Sequence, residues 1–124
     1  MQTNAYSAYQ KNSIMCASKE QLLLILVENA VKYIKIGRQA MIDKKFEKSN
    51  ESLQKVQNIF VELMVSLDKN AGEWTEELYR IYQFINEKIA EANIKQSIEL
   101  LEKVIPLVEE VNETWQEAYK LSKK

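Results

Sequence analysis

Apolar residues recur at three- and four-residue spacing through most of this chain, and the pattern breaks in only three places. That spacing stacks the apolar side chains on one face of an α-helix. The first such stretch opens at Ser18, where Gln21 three residues on completes a capping box. Its apolar positions are Leu23, Leu26, Ala30, Ile34, Gly37 and Met41, and it should end near Asp43 in "DKK". Glycine inside a helix costs about 1 kcal/mol relative to Ala, so Gly37 predicts a close approach to another helix. The second stretch, "FEKSNESLQKVQNIFVELMVSLD", carries Leu53, Val56, Phe60, Leu63 and Leu67 before the breaker "DKNAG". The third, "EWTEELYRIYQFINEKIAEA", carries Trp74, Leu78, Ile81, Ile85, Ile89 and Ala92. Glu73, Glu76 and Glu77 suit its positive N-terminal end, and Asn93 offers a left-handed stop. The fourth, "SIELLEKVIPLVEEVNETWQEAYKLS", carries Leu101, Val104, Val108, Val111, Trp115 and Ala118, with a kink rather than an end expected at Pro106.

Four amphipathic segments of ~20–25 residues would each be ~30–37 Å long. With 2 glycines and 1 proline in 124 residues the chain has few turn-forming positions, so the connections are short and neighbouring helices antiparallel. The expected fold is all-α: an antiparallel up-down four-helix bundle over residues 18–122. Residues 1–17 form an N-terminal extension placed to pack back on it, in which Tyr6 and Tyr9 precede the folded body.

The helices carry more apolar surface than one core stripe requires. Leu22, Leu24, Ile25, Val27 and Val31 lie beside the first stripe; Ile59, Val61, Met64 and Val65 beside the second; Tyr79, Tyr82 and Phe84 beside the third. One outcome is a wide core with scattered exposed apolar residues. The other is a second apolar surface, which would form an oligomer or receive an amphipathic helix from a partner.

The chemistry available is narrow. There is no histidine, which excludes histidine phosphotransfer, Ser-His and Cys-His nucleophile pairs, common zinc sites and the Glu-x-x-His di-iron motif. No glycine-rich phosphate loop can be built from two glycines. The single cysteine, Cys16, cannot form an internal disulfide, in keeping with a reducing compartment, and reads as a small apolar packing residue. Formal net charge is −1, with no global case for nucleic-acid binding. The halves differ mildly: residues 1–48 hold 8 Lys/Arg against 4 Asp/Glu, and residues 49–124 hold 9 against 14. "MQTNAYSAYQ" lacks the basic and apolar regions of a secretion signal, and "LLLILV" is far short of the ~20 residues of a membrane span. The expectation is a soluble cytoplasmic protein with no membrane insertion, no metal site, no cofactor and no catalytic residue. One enzymatic alternative stays open. Glu109, Glu110 and Glu113 cluster in one turn, as in the all-α Mg²⁺-dependent nucleotide pyrophosphohydrolases, which also need carboxylates facing from another helix. A helical homodimer that uses the extra apolar surface as its own interface is the remaining alternative.

Four stretches in order resemble the FliS family of flagellar export chaperones. "YQKNSIMCAS" is similar to that family's Tyr-Gln-x-Asn-x-Val-x-Thr-Ala-Ser, and "ELMVSLD" at 62–68 to its Glu-Leu-x-x-Thr-Leu-Asp. "LYRIYQFINEKIAEAN" at 78–93 is similar to its Leu-Tyr-x-x-Tyr-x-Tyr-Ile-Asn…Ala-Asn signature, and "TWQEA" at 114–118 to its closing Thr-Trp. The chain departs from it at Lys19, where the family often has Pro, and in "LVENA" at 26–30. The resemblance implies a cytosolic four-helix-bundle chaperone that binds the C-terminal segment of flagellin. It would prevent premature polymerisation and keep the subunit competent for flagellar type III export. An export-gate component is the further partner the resemblance offers. Tyr6, Tyr9 and Gln10 are expected near the client groove, Ile59, Leu63, Tyr79 and Tyr82 on its apolar surface, and Asn86 and Asn93 at signature positions. In the free protein Tyr6 and Tyr9 are expected to cover the groove in place of the client.

Overall fold

The computed structural model describes residues 18–68 and 70–123, and within them the chain is four long helices: α1 (Lys19–Ile42), α2 (Phe46–Ser66), α3 (Glu73–Lys95) and α4 (Ile98–Ser122). Tyr6, Tyr9, Gln10 and Cys16 lie outside the described residues. Among the described residues there is no strand, and no helix is long and apolar enough to cross a membrane.

The helix starts follow from local hydrogen bonding. Ser18 Oγ accepts from the Gln21 amide at 3.2 Å while the Gln21 side chain accepts from the Ser18 amide at 2.9 Å, the reciprocal box that satisfies two free donors. Ser97 Oγ accepts from the Leu100 amide at 3.1 Å and opens α4. Between α2 and α3, Asp68 accepts from the Asn70 amide through its carboxylate at 2.9 Å, and Gly72 follows at φ 131°, a conformation that favours glycine. Asn93 does not stop α3. The helix runs on to Lys95, and Gln96 takes the left-handed position at φ 51°, with its side chain donating to the Asn93 carbonyl at 2.7 Å. Asn93 instead donates from its carboxamide to Asn50 on α2 at 2.8 Å. α4 continues through Pro106, which is exposed, so the carbonyl it leaves unbonded faces the solvent side.

Connections this short between helices of 21–25 residues make sequential neighbours antiparallel. α1 packs on α2 and α4, and α3 on α2 and α4, which closes a four-membered ring. The core is one cluster, centred on Ile34, Leu53, Phe60, Tyr82, Ile89 and Leu101, each buried. Phe60 and Tyr82 meet edge to face at 5.9 Å between ring centres, the favoured aromatic geometry. The α1–α2 seam is close at Gly37, where a Cβ would stand 2.8 Å from a Leu53 methyl. The missing side chain is what admits Leu53. Across the α1–α4 seam, Lys35 pairs with Glu109 at 3.0 Å and Arg38 with Glu102 at 2.7 Å.

Candidate functional site

The α3–α4 pair is the most thinly packed neighbouring seam of the ring, and there the bundle opens into an apolar groove of about 530 Å³. α3 contributes Leu78, Ile81, Phe84 and Ile85; α4 contributes Leu107, Val111 and Trp115. Ile81 and Phe84 are about half exposed, at 48% and 50%, which is a large desolvation cost left standing for two big apolar side chains. Arg80, Glu110 and Thr114 are the polar members of the lining.

Helical geometry explains why this face stays open. Tyr82, Ile85 and Ile89 point into the core, so Ile81 and Phe84 fall on the flank that turns toward α4. On α4, Val104, Ile105 and Val108 face inward, and Leu107, Val111 and Thr114 form the opposing wall. The floor is tied across the seam: the Trp115 indole N–H donates to the Tyr82 hydroxyl at 2.7 Å. Burial raises the Tyr82 phenol above its ordinary pKa, and the Trp115 bond works against that rise. Tyr82 therefore stays a neutral phenol that satisfies the one polar atom of Trp115 beneath an apolar channel. No lining residue is a catalytic pair; the arrangement suits the apolar face of an amphipathic helix, with anchors one turn apart on both walls.

A second hollow lies on the other flank of α3, between Met64, Leu67, Thr75 and Tyr79, with Glu76 and Arg80 at its edge. Val61 and Val65 of α2 are also exposed, at 47% and 73%.

The described residues expected on a client surface separate into three groups. Ile59, Leu63 and Tyr82 are buried, at 9%, 1% and 0% exposed, so as surface residues they are corrected to core. The reason is register: each lies on the inward face of its helix, and Tyr82 reaches the groove only as its floor. Tyr79 is exposed but lines the hollow toward α2, not the α3–α4 groove. Asn86 is half-buried, and its carboxamide oxygen is buried with no hydrogen-bond partner. The α3 stripe is corrected in the same way, since Trp74 and Ile81 are exposed where Thr75 and Tyr82 are buried. Val27 also belongs to the core and not to a second surface. The groove residues Ile81, Val111 and Trp115 stood in the expected core stripes, and Phe84 among the surplus apolar residues. Leu107 lies outside the expected stripes, and its four-residue spacing to Val111 on the same face is the signal that marks it.

Among the described residues, no three His, Cys, Asp or Glu side chains gather where a metal ion could be held. Glu109 is engaged with Lys35, and Glu110 and Glu113 border a shallow surface with Glu117, without the facing carboxylates the pyrophosphohydrolase alternative requires.

The fold is thus a four-helix bundle with an apolar groove between α3 and α4. The chain matches the profile of the family described as flagellar protein FliS over residues 2–122, and it belongs to that family. It is 32% identical to the flagellar secretion chaperone FliS of Bacillus subtilis (strain 168), covering 98% of this chain and 90% of that protein. It is 27% identical to the flagellar secretion chaperone FliS of Escherichia coli (strain K12), covering 94% of this chain and 88% of that one. The fold agrees with a crystal structure of a flagellar chaperone from bacteria, at a TM-score of 0.74 and 17% identity over 94% of this chain and 95% of that one. Neither the pyrophosphohydrolase nor the homodimer alternative draws support from these likenesses.

Proposed function

We propose that this chain is a cytoplasmic flagellar secretion chaperone whose client is the C-terminal region of flagellin, held as an amphipathic helix in the α3–α4 groove. The observation that carries this reading is the groove itself: half-exposed Ile81 and Phe84 facing Leu107 and Val111 across an open seam. Membership of the FliS family, with relatives that are flagellar secretion chaperones, supports the choice of client. A segment that orders only on binding must offset its lost chain entropy with a large apolar contact, and this groove supplies one. Covering the client's apolar face blocks the contacts that would polymerise it and leaves the subunit exportable, with an export-gate component as the next partner.

Tyr6 and Tyr9 complete the proposal as a cover for the groove in the free protein, displaced when the client arrives, with Gln10 beside the client. Tyrosine suits that role, since it offers a large contact area with few rotatable bonds to order. Replacing Tyr6 and Tyr9 with Ala should leave helical content unchanged and alter client affinity; loss of the helical signal would instead make them part of the core. The function is tested by co-purification with flagellin, full-length and lacking its C-terminal tail. Retention of the full-length protein alone is expected, and equal retention of both, or of neither, contradicts the proposal.

A further inference from the structure

Pro106 divides α4 into two unlike halves. The half before it is clamped: Leu101, Val104 and Ile105 are buried there, and Arg38 of α1 holds Glu102 at 2.7 Å. The half after it is loose. Val108 is buried just beyond the proline, but from Glu109 to Ser122 every residue is half-buried or exposed. Lys35 meets Glu109 at 3.0 Å close to the proline, a surface ion pair of small worth. Farther along, among the described residues, the one side-chain hydrogen bond from α4 to another helix is that of Trp115 to Tyr82. The α4 residues that line the groove, Leu107, Glu110, Val111, Thr114 and Trp115, all follow Pro106. Proline supplies no N–H to the carbonyl four residues back, that of Glu102. The helix is held there by one bond fewer, and it bends there most easily.

We infer that the second half of α4 is a movable wall of the groove, hinged at residues 102–106 and latched by the Trp115–Tyr82 hydrogen bond. This deepens the reading of the groove as a helix-binding site and rests on it. From Pro106 to Trp115 the helix rises ~13 Å. A swing of ~20° at the proline carries Trp115 about 5 Å, which breaks the 2.7 Å latch and widens the seam. The opposite wall does not follow, because Tyr82, Ile85 and Ile89 root α3 in the core. One wall is thus a fixed template and the other adjusts to the anchor side chains of the occupant helix. Pro106 is exposed and outside the groove lining, so it acts as a positioning residue, through the wall it frees.

The test uses the full chain with Cys16→Ser and pairs of nitroxide labels whose separation is read by pulsed electron resonance. One pair, Glu77→Cys with Glu117→Cys, spans the seam beyond Pro106. The other, Lys95→Cys with Lys103→Cys, spans it before Pro106. In the free protein the first pair should give a distance distribution roughly twice as broad as the second, as a wall that swings at the proline requires. Pro106→Ala should narrow the first pair to the width of the second; the exposed site and the regained N–H favour folding of this variant. Pro106→Gly, which keeps the helix weak by another route, should leave the first pair broad. Tyr82→Phe removes the latch and should raise the long-distance fraction about fivefold. Adding the C-terminal segment of flagellin should narrow the first pair and leave the second unchanged. The inference is overturned if the two pairs are equally narrow in the free protein, if Pro106→Ala leaves the first as broad as before, or if Tyr82→Phe changes nothing. A flagellin segment that alters neither pair, with the free-protein pattern intact, removes the client assignment and leaves the hinge standing.

Discussion

At Tyr82 a single side chain joins the core to the groove. Its ring packs on Phe60, and its hydroxyl holds the Trp115 indole at 2.7 Å. Tyr82→Phe should cost about 1 kcal/mol, the net worth of one hydrogen bond, and should shift Trp115 fluorescence as the indole loses its partner. The pH dependence has a definite sign. The folded protein keeps the Tyr82 proton to higher pH than the unfolded chain does, because burial disfavours the phenolate. The stability it confers is therefore present below about pH 10, the ordinary tyrosine value, and is lost as pH climbs from there through the raised folded value. Urea unfolding at pH 8 and above pH 10 should show this fall, and a smaller one in the Phe variant. Gly37 acts through its absence of a side chain. Gly37→Val drives a branched chain into Leu53 and should destabilise by about 2 kcal/mol, whereas Gly37→Ala gains helix propensity and sets a single Cβ 2.8 Å from a Leu53 methyl and 3.0 Å from Leu53 Cγ, so it should lose less.

The helices as units were legible because each announces itself by period and cap. Ser18 and Gln21 met as a capping box, and Ser18→Ala should lower stability by about 1 kcal/mol in thermal unfolding. Other features were not legible, for physical reasons. On α3, Ile81 and Tyr82 are adjacent apolar residues about 100° apart, and the 3.6-residue period alone does not say which turns inward. The positions of Phe60 and Trp115, on two other helices, decide it. Asn93 has the composition of a helix stop, yet a partner on α2 holds it inside the helix. Local propensity loses there to a tertiary hydrogen bond. The groove suffered the same ambiguity: its apolar walls were visible as surplus, but Ile81, Val111 and Trp115 look like core until the thin α3–α4 seam is seen.

For the whole molecule, the family and the bundle follow from residues spread over the full chain, whereas the site depends on which pair of helices fails to close. That is a property of packing among all four. It also separates the two apolar flanks of α3: Ile81 and Phe84 toward α4, and Tyr79 toward Met64 and Leu67 of the α2 side. Ile81→Asp with Phe84→Ser should leave the fold intact, since neither side chain belongs to the buried core, and reduce flagellin binding at least tenfold. The most direct measurement is amide hydrogen exchange of the full chain with and without the C-terminal segment of flagellin. Slowed exchange along α3 from Leu78 to Ile85 and along α4 from Leu107 to Trp115 is the predicted result. Slowing confined to the α2 flank around Val61 and Val65, with α4 unchanged, would contradict it.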